Sequence, residues 1–246
     1  MATVRDIYNY IDFIAPFDTQ AEWDNSGLLV GNENSEVTKI LFALDATNDV
    51  INQAIESGVN LIVTHHPVIF KPISTVTQDS LVYKLVKNNI SIICAHTNYD
   101  KADNGVNDLL CKEIGFNEFI KFGDFLNIIE LDKPIPSNQL LNKVKKALDG
   151  VIRFNSVSDN IDRIAVCSGS GSDFLSVAKE SGCNALITGD ASHHSFLDAD
   201  EMGILLIAAG HFETENLSIK PLMARIKNEF NVPCALAYQN SPINVI

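Results

Sequence analysis

The strongest constraint on the fold is a strand–helix pattern that occurs twice in the 246-residue chain. Short apolar runs alternate with segments of helical periodicity in the order KILFALD, NDVINQAIESG, NLIVTHH. The same order returns in RIAVCSG, SDFLSVAKESG, NALITGD. Apolar runs without alternating polar positions are typical of strands that are buried on both faces of a parallel sheet. The pattern therefore predicts an α/β fold with two similar lobes and mainly parallel sheets.

The two halves also match residue by residue. AIESGVNLIVT (54–64) aligns without a gap with AKESGCNALIT (178–188). After a change in connector length, HTNYD (96–100) aligns with HFETE (211–215), each at the end of an apolar run. We expect a first lobe over residues 1–123 and a second over 124–246, with a C-terminal segment able to pack back on the first lobe. A cleft between the lobes is the expected ligand site.

All six histidines follow the apolar ends of predicted strands, and they are His65, His66, His96, His193, His194 and His211. The carboxyl ends of parallel strands line the ligand crevice of α/β proteins, so side chains distant in sequence can converge there. Together with acids at the same strand ends, the expected cluster consists of His65, His66, Asp100, His211 and Glu215.

Imidazole and carboxylate groups in one cluster suit a divalent metal such as zinc, iron or manganese. Adjacent side chains on an extended strand point to opposite sides. His65 and His66 would therefore bind one ion only if the chain turns there, and otherwise two ions separately. The roles of His96, His193 and His194 stay open between supporting the ligands from behind and transferring protons to a substrate.

The charge of the chain argues against a nucleic-acid partner. Lys and Arg number 18 against 31 Asp and Glu, which gives a formal net charge of −13, and no segment concentrates the cations. Nucleic-acid binding depends on clustered cationic contacts. The N-terminus lacks a signal-peptide pattern, no apolar run is long enough to span a membrane, and the five cysteines are scattered. We therefore expect a cytoplasmic protein with reduced thiols and no membrane partner.

Two further segments have alternative interpretations. CSGSGSDF (167–174) contains a Gly/Ser turn at Gly169–Ser172 that could hold a phosphate on its backbone amides. It lacks the lysine of a P-loop, and a tight turn before a helix explains it equally well. Trp23, the only tryptophan, is expected to pack under a loop, while Asp24 or Asn25 beside it could reach the cleft.

Taken together, five segments resemble one protein family. WDNSGLLVG, THHPVIF, AHTNYD followed by NGVND, ITGD with His194 four residues later, and AAGHFETE occur in this order over nearly the whole chain. The combination is similar to the NIF-three-like family (Ngg-one interacting factor three), whose bacterial members are named GTP cyclohydrolase type-two homologues.

The resemblance implies a two-metal site between two α/β lobes, with His65, His66, Asp100, His211 and Glu215 as ligands. It also implies a homohexamer and the hydrolytic opening of a guanine ring. We expect a metal-dependent hydrolase of a nucleotide or related small molecule, with His96 and His194 as catalytic proton-transfer residues. The alternative is a non-enzymatic assembly that buffers metal or binds a protein partner through the same ligands.

Overall fold

The computed structural model describes residues 1–156 and 160–244. The described strands are β1 (Gly27–Val30), β2 (Ile40–Ala43), β3 (Leu61–Thr64), β4 (Ser91–Cys94), β5 (Ile120–Phe122), β6 (Leu126–Pro136), β7 (Arg153–Phe154), β8 (Asn160–Val166), β9 (Ala185–Thr188), β10 (Leu205–Ala208) and β11 (Cys234–Leu236). The described α-helices are α1 (Val4–Ile14), α2 (Asn48–Glu56), α3 (Leu81–Lys87), α4 (Thr97–Lys101), α5 (Val106–Glu113), α6 (Ser137–Leu148), α7 (Leu175–Glu180), α8 (His193–Met202), α9 (His211–Glu215) and α10 (Ile219–Phe230).

The chain forms two compact units, each with its own sheet. The first consists of Met1–Asp103 and Ser218–Asn240, and the second mainly of Asn104–Leu217. The chain thus leaves the first unit ahead of the 123/124 boundary expected from the repeat, because α5 packs against β6 and β8 of the second sheet. The C-terminal strand β11 belongs to the first sheet, where it pairs in parallel with β2. Residues 245 and 246 of the expected second lobe lie outside the described part.

The first unit contains a five-stranded sheet with the order β1-β4-β3-β2-β11. Its strands β2, β3 and β4 run parallel, and every residue in these three strands is buried. Burial on both faces explains why these segments read as unbroken apolar runs. Only the edge strand β1 runs antiparallel to its neighbour.

The second unit contains a six-stranded sheet with the order β5-β6-β8-β9-β10-β7. Its central strands β8, β9 and β10 are parallel, and β9 and β10 are buried throughout. The remaining pairs are antiparallel: β5 with β6, β6 with β8, and β10 with β7. The expected parallel arrangement therefore describes the centre of this sheet, and antiparallel strands complete it on both sides.

The strand register confirms the internal repeat. In the first unit, Ile40 of β2 pairs with Leu61 of β3. The repeat aligns these two residues with Ile164 of β8 and Ala185 of β9, and those two also pair with each other. A one-residue shift would turn every side chain of a strand to the opposite face of the sheet. The common register therefore means that aligned side chains point to the same face in both units. The predicted α/β fold with two related lobes is confirmed.

The cysteines are not bonded to each other. All five are free, and Cys94, Cys111, Cys167 and Cys183 are buried. Burial raises the pKa of the Cys111 thiol to about 12, which disfavours the reactive thiolate. Among the helices of the described residues, none combines the length and the apolar character needed to cross a membrane.

Candidate functional site

His65 and His66 follow directly after β3, at a turn. The backbone N–H of His66 donates to Leu44 O over 2.9 Å, and the Thr64 hydroxyl donates to His66 O over 2.8 Å. A hydroxyl that bonds the backbone two residues ahead closes a tight turn. The two imidazole centroids consequently lie only 5.1 Å apart. The chain thus meets the condition under which both histidines can serve one site.

Each histidine of the first unit's cluster has its Nδ1 atom held by an acceptor. Nδ1 of His65 lies 2.8 Å from Ala95 O, Nδ1 of His66 lies 2.7 Å from Asp45 Oδ1, and Nδ1 of His96 lies 2.7 Å from Asp24 Oδ1. Carbonyl and ionised carboxylate oxygens only accept hydrogen bonds, so Nδ1 carries the proton. The lone pair of each neutral ring is therefore on Nε2, one of the two ring nitrogens through which histidine binds metals.

His96 lies beside the two adjacent histidines. Its ring centroid is 5.1 Å from that of His65 and 5.5 Å from that of His66. One ligand nitrogen from each of the three rings lies within 4.8 Å of the other two. The geometry makes His96 suitable for direct metal binding as well, in addition to the supporting and proton-transfer roles that the sequence left open.

Asp100 joins this cluster from α4. Its backbone N–H donates to His96 O over 3.0 Å, so the first turn of the helix connects the two residues. Asp100 Oδ1 lies 3.4 Å from His65 Nε2, and the Asp100 side chain is mostly buried. A carboxylate beside the imidazole nitrogen that keeps its lone pair is the arrangement expected of two groups that share a cation.

Asp24 anchors His96 through a fully buried carboxylate. It accepts hydrogen bonds from His96 Nδ1, from the backbone N–H and hydroxyl of Thr97, and from the Ser26 hydroxyl. Burial acts to raise the pKa of Asp24, but the hydrogen bonds from His96 and Thr97 outweigh it and hold the pKa well below its usual range. Asp24 is thus ionised at neutral pH and fixes the orientation of the His96 ring.

The C-terminal segment holds Asp45 in place. Gln239 Oε1 accepts from the backbone N–H groups of Leu44 and Asp45 at 2.8 and 3.3 Å, and Gln239 Nε2 donates to Asp45 O over 3.0 Å. Asp45 in turn accepts a hydrogen bond from His66 Nδ1–H. Sequence reasoning missed Asp45 and Gln239, although the position of Asp45 directly after an apolar strand run was a usable signal.

In the second unit, His211 and Glu215 occupy the first and last positions of α9. Nε2 of His211 lies 3.0 Å from Glu215 Oε2, and Nδ1 lies 2.7 Å from Asp190 Oδ2. This is again a histidine with a carboxylate on Nδ1. Asp190 lies two positions after β9, as Asp45 lies two positions after β2, and it too was missed by sequence reasoning.

The Gly/Ser turn packs against these two residues. Ser168 N–H, directly before the turn, donates to Asn107 Oδ1. Within the turn, Gly169 N–H donates to Thr214 Oγ1 and Gly171 N–H to Thr188 Oγ1. These distances are 2.7, 3.2 and 2.8 Å. The structure therefore favours the tight-turn interpretation over a phosphate cradle, and it assigns Asn107 of the NGVND segment to supporting the turn.

His96 and His211 are not equivalent in the repeat. Cys94 and Ala208 each end a strand and pair with the threonine that ends the preceding strand. His96 follows Cys94 by two positions, whereas His211 follows Ala208 by three. The counterpart of His96 is Gly210, and both residues directly precede a short helix. The alignment of the two His-x-x-x-carboxylate segments is therefore wrong by one residue.

His193 and His194 lie in the first turn of α8, where both are exposed. Their ring centroids are 5.7 Å apart. Among the described residues, the clusters of metal-binding geometry do not include either of them.

Comparison with known proteins supports a single family. Residues 2–242 match the family model described as Duf34/NIF3 (NGG1p interacting factor 3). The chain belongs to the Duf34/NIF3 family. Two similar proteins cover this NIF3-family chain almost completely. One, from Clostridium acetobutylicum, is named GTP cyclohydrolase 1 type 2 homolog and is 35% identical over 257 residues, with 96% of both chains covered. One from Helicobacter pylori strain J99 is named GTP cyclohydrolase 1 type 2 and is 33% identical, with 100% of both chains covered.

A solved structure shows the same fold. The crystal structure of Staphylococcus aureus protein SA1388 superposes on the NIF3-family chain with a TM-score of 0.90 at 27% identity, covering 100% of this chain and 99% of that one. These matches confirm the resemblance seen in the five sequence segments. The donor groups of this NIF3-family protein also fit a divalent metal, since histidines with fixed tautomers and neighbouring carboxylates are what such ions bind.

Proposed function

We propose that this protein binds two divalent metal ions and is a metal-dependent hydrolase of a nucleotide or related small molecule. The observation that carries the proposal is the shared state of four histidines. His65, His66, His96 and His211 each have Nδ1 beside an oxygen acceptor, and the Nε2 atoms of His65 and His211 each face a carboxylate. Isolated histidines rarely share such an arrangement, whereas metal-binding histidines usually have it.

The proposed ligands are His65, His66 and Asp100 of the first unit with His211 and Glu215 of the second. The second unit offers one imidazole and one carboxylate in its pair, fewer protein ligands than the three typical of a catalytic zinc ion. The family resemblance implies that all five ligands contribute to the coordination. The identity of the ions is proposed as zinc, iron, manganese or a similar metal.

Metal ions at this site would supply a Lewis acid and lower the pKa of water. The chain's own residues would then position the substrate and move protons. His96 is suited to accept a proton at Nε2, because the ionised Asp24 carboxylate stabilises the resulting imidazolium. His194 is the second proposed proton-transfer residue, and its exposure on α8 leaves it accessible to a substrate.

The names of the relatives support a purine nucleotide as the substrate class. The scarcity of cationic residues favours substrates that rely little on phosphate contacts. The competing proposal is a non-enzymatic metal-binding or adaptor assembly. The same ligands would serve it, but ions that are held only for storage need no open coordination position.

The test is metal-dependent turnover over a panel of nucleotides and phosphoesters. We expect His96→Ala and His194→Ala to retain metal and to lower kcat by about 100-fold or more, because general acid–base groups typically contribute that much. Asp24→Asn should lower kcat by about 10-fold or more through the misoriented His96 ring. Absence of turnover with any reconstituted metal, while metal is bound stoichiometrically, would favour the storage or adaptor role.

The proposal also includes assembly and location. The family resemblance implies a homohexamer, and closed point-group symmetry is the common state of soluble oligomers. Light scattering of the metal-loaded protein tests this, and a monomer at all concentrations would refute it. A cytoplasmic location is consistent with five free cysteines and is tested by cell fractionation.

A further inference from the structure

We propose that Trp23 and Phe70 form a stacking site for a planar heteroaromatic ring beside His96. The inference concerns binding of the ring alone, and it deepens the proposed function by naming two residues that would hold the substrate. Both aromatic residues belong to the first unit, as does His96.

Both side chains are exposed, Trp23 by 61% and Phe70 by 46%. Large aromatic side chains bury most of their surface in stable folds, and a pair that remains exposed marks a binding site more often than scattered single residues do. The expectation that Trp23 packs under a loop does not hold, since more than half of its surface is accessible.

The two rings lie around His96. The Trp23 and Phe70 centroids are 6.0 Å apart with an interplanar angle of 62°, so the rings do not stack on each other. Their centroids are 6.1 and 6.3 Å from that of His96. A ring that stacks on either of them is therefore close to the cluster of His65, His66 and His96.

Hydrogen bonds hold the two aromatic segments together. Asn25 Nδ2 donates to Ile69 O over 2.6 Å, which connects the segment two residues after Trp23 to the residue directly before Phe70. Asp24, between Trp23 and Asn25, is fixed by its bonds to His96 and Thr97. A preformed surface loses little conformational entropy when it binds a ligand, and this is a property of binding sites rather than of incidental surface.

The surroundings decide which ligand fits. Aromatic faces bind other planar rings through stacking, and every nucleobase offers such a face. The carboxylates of Asp24, Asp45 and Asp100 nearby disfavour an anionic group that is not paired with a cation. We therefore expect an uncharged nucleobase or nucleoside to bind at this site, and we expect a saturated sugar not to bind.

Trp23 reports binding directly, because it is the only tryptophan of the chain. We expect guanosine to quench its fluorescence saturably, after correction against free tryptophan at equal absorbance, and ribose to leave it unchanged. Phe70→Leu should raise the Kd for guanosine by about tenfold, and Phe70→Tyr should restore it. Phe13→Leu is the matched control, since Phe13 is an 82% exposed phenylalanine of α1 in the same unit.

Equal effects of Phe70→Leu and Phe13→Leu, or equal quenching by ribose, would overturn the stacking site. A change in oligomer size on Phe70→Leu, measured by light scattering, would overturn it in favour of a contact with a second copy of the chain. Elemental analysis of the same samples separates this inference from the proposed function. Quenching without bound metal refutes only the metal site, and bound metal without quenching refutes only the stacking site.

Discussion

His66→Ala, Asp100→Ala and Glu215→Ala are each expected to weaken metal binding by about 100-fold or more while the fold persists. Removal of a group that merely supports a ligand already costs roughly 10- to 100-fold in affinity, and loss of a ligand costs more. All three residues follow strands rather than lying within them, so the sheets keep their packing. Elemental analysis measures the metal and thermal unfolding measures the fold.

Glu215→Gln is expected to be nearly as harmful as Glu215→Ala. The amide keeps the shape of the side chain but lacks the negative charge that offsets the cations. His193→Ala is the matched control, because His193 is an exposed histidine of the same unit that lies outside the clusters of metal-binding geometry among the described residues. If His96→Ala removed the metal and His65→Ala did not, His96 would be the ligand and the proposed set would be wrong.

Gly169→Ala is expected to destabilise the protein and also to weaken metal binding. Gly169 has φ 57°, a backbone conformation that costs an alanine about 1–2 kcal/mol. Its added methyl group would also overlap Glu215 Oε1 and lie 3.3 Å from His211 Nε2. Forcing a group into a packed site costs about 1–3 kcal/mol more, so the total is roughly 2–5 kcal/mol.

Gly203→Ala separates the two effects. Gly203 ends α8 with φ 63°, nearly the same backbone conformation, but an added methyl group there meets no atom within 4 Å. It should show the backbone cost of about 1–2 kcal/mol alone and bind metal normally. Denaturant unfolding and metal titration of both variants are the measurements. Equal metal affinity in the two would mean that the turn does not constrain Glu215.

The sequence predicts the centre of each sheet well because burial on both faces determines residue type there. Strands β2, β3 and β4 contain nothing but buried residues, and their apolar runs are visible without any alignment. The edge strands carry a weaker signal. Strand β7 is exposed and two residues long, so neither its existence nor its antiparallel pairing could be predicted from periodicity.

Within the candidate site, the histidines were predictable and their partners were not. A histidine after a strand stands out by residue type, whereas Asp45 and Asp190 look like any acid in a loop until their Nδ1 contacts are known. The one-residue offset between His96 and His211 could not be predicted either. Both segments read His-x-x-x-carboxylate, and only the structure shows that one helix begins after His96 and the other at His211.

The position of Gln239 has a consequence for biosynthesis. The first unit is interrupted by Asn104–Leu217 of the second, and Gln239 comes after this interruption. Contacts between residues so distant in sequence form late, because the intervening chain must be made and ordered first. The segment Asn104–Leu217 is therefore made, and can become ordered, before Gln239 is available to fix Asp45 behind His66.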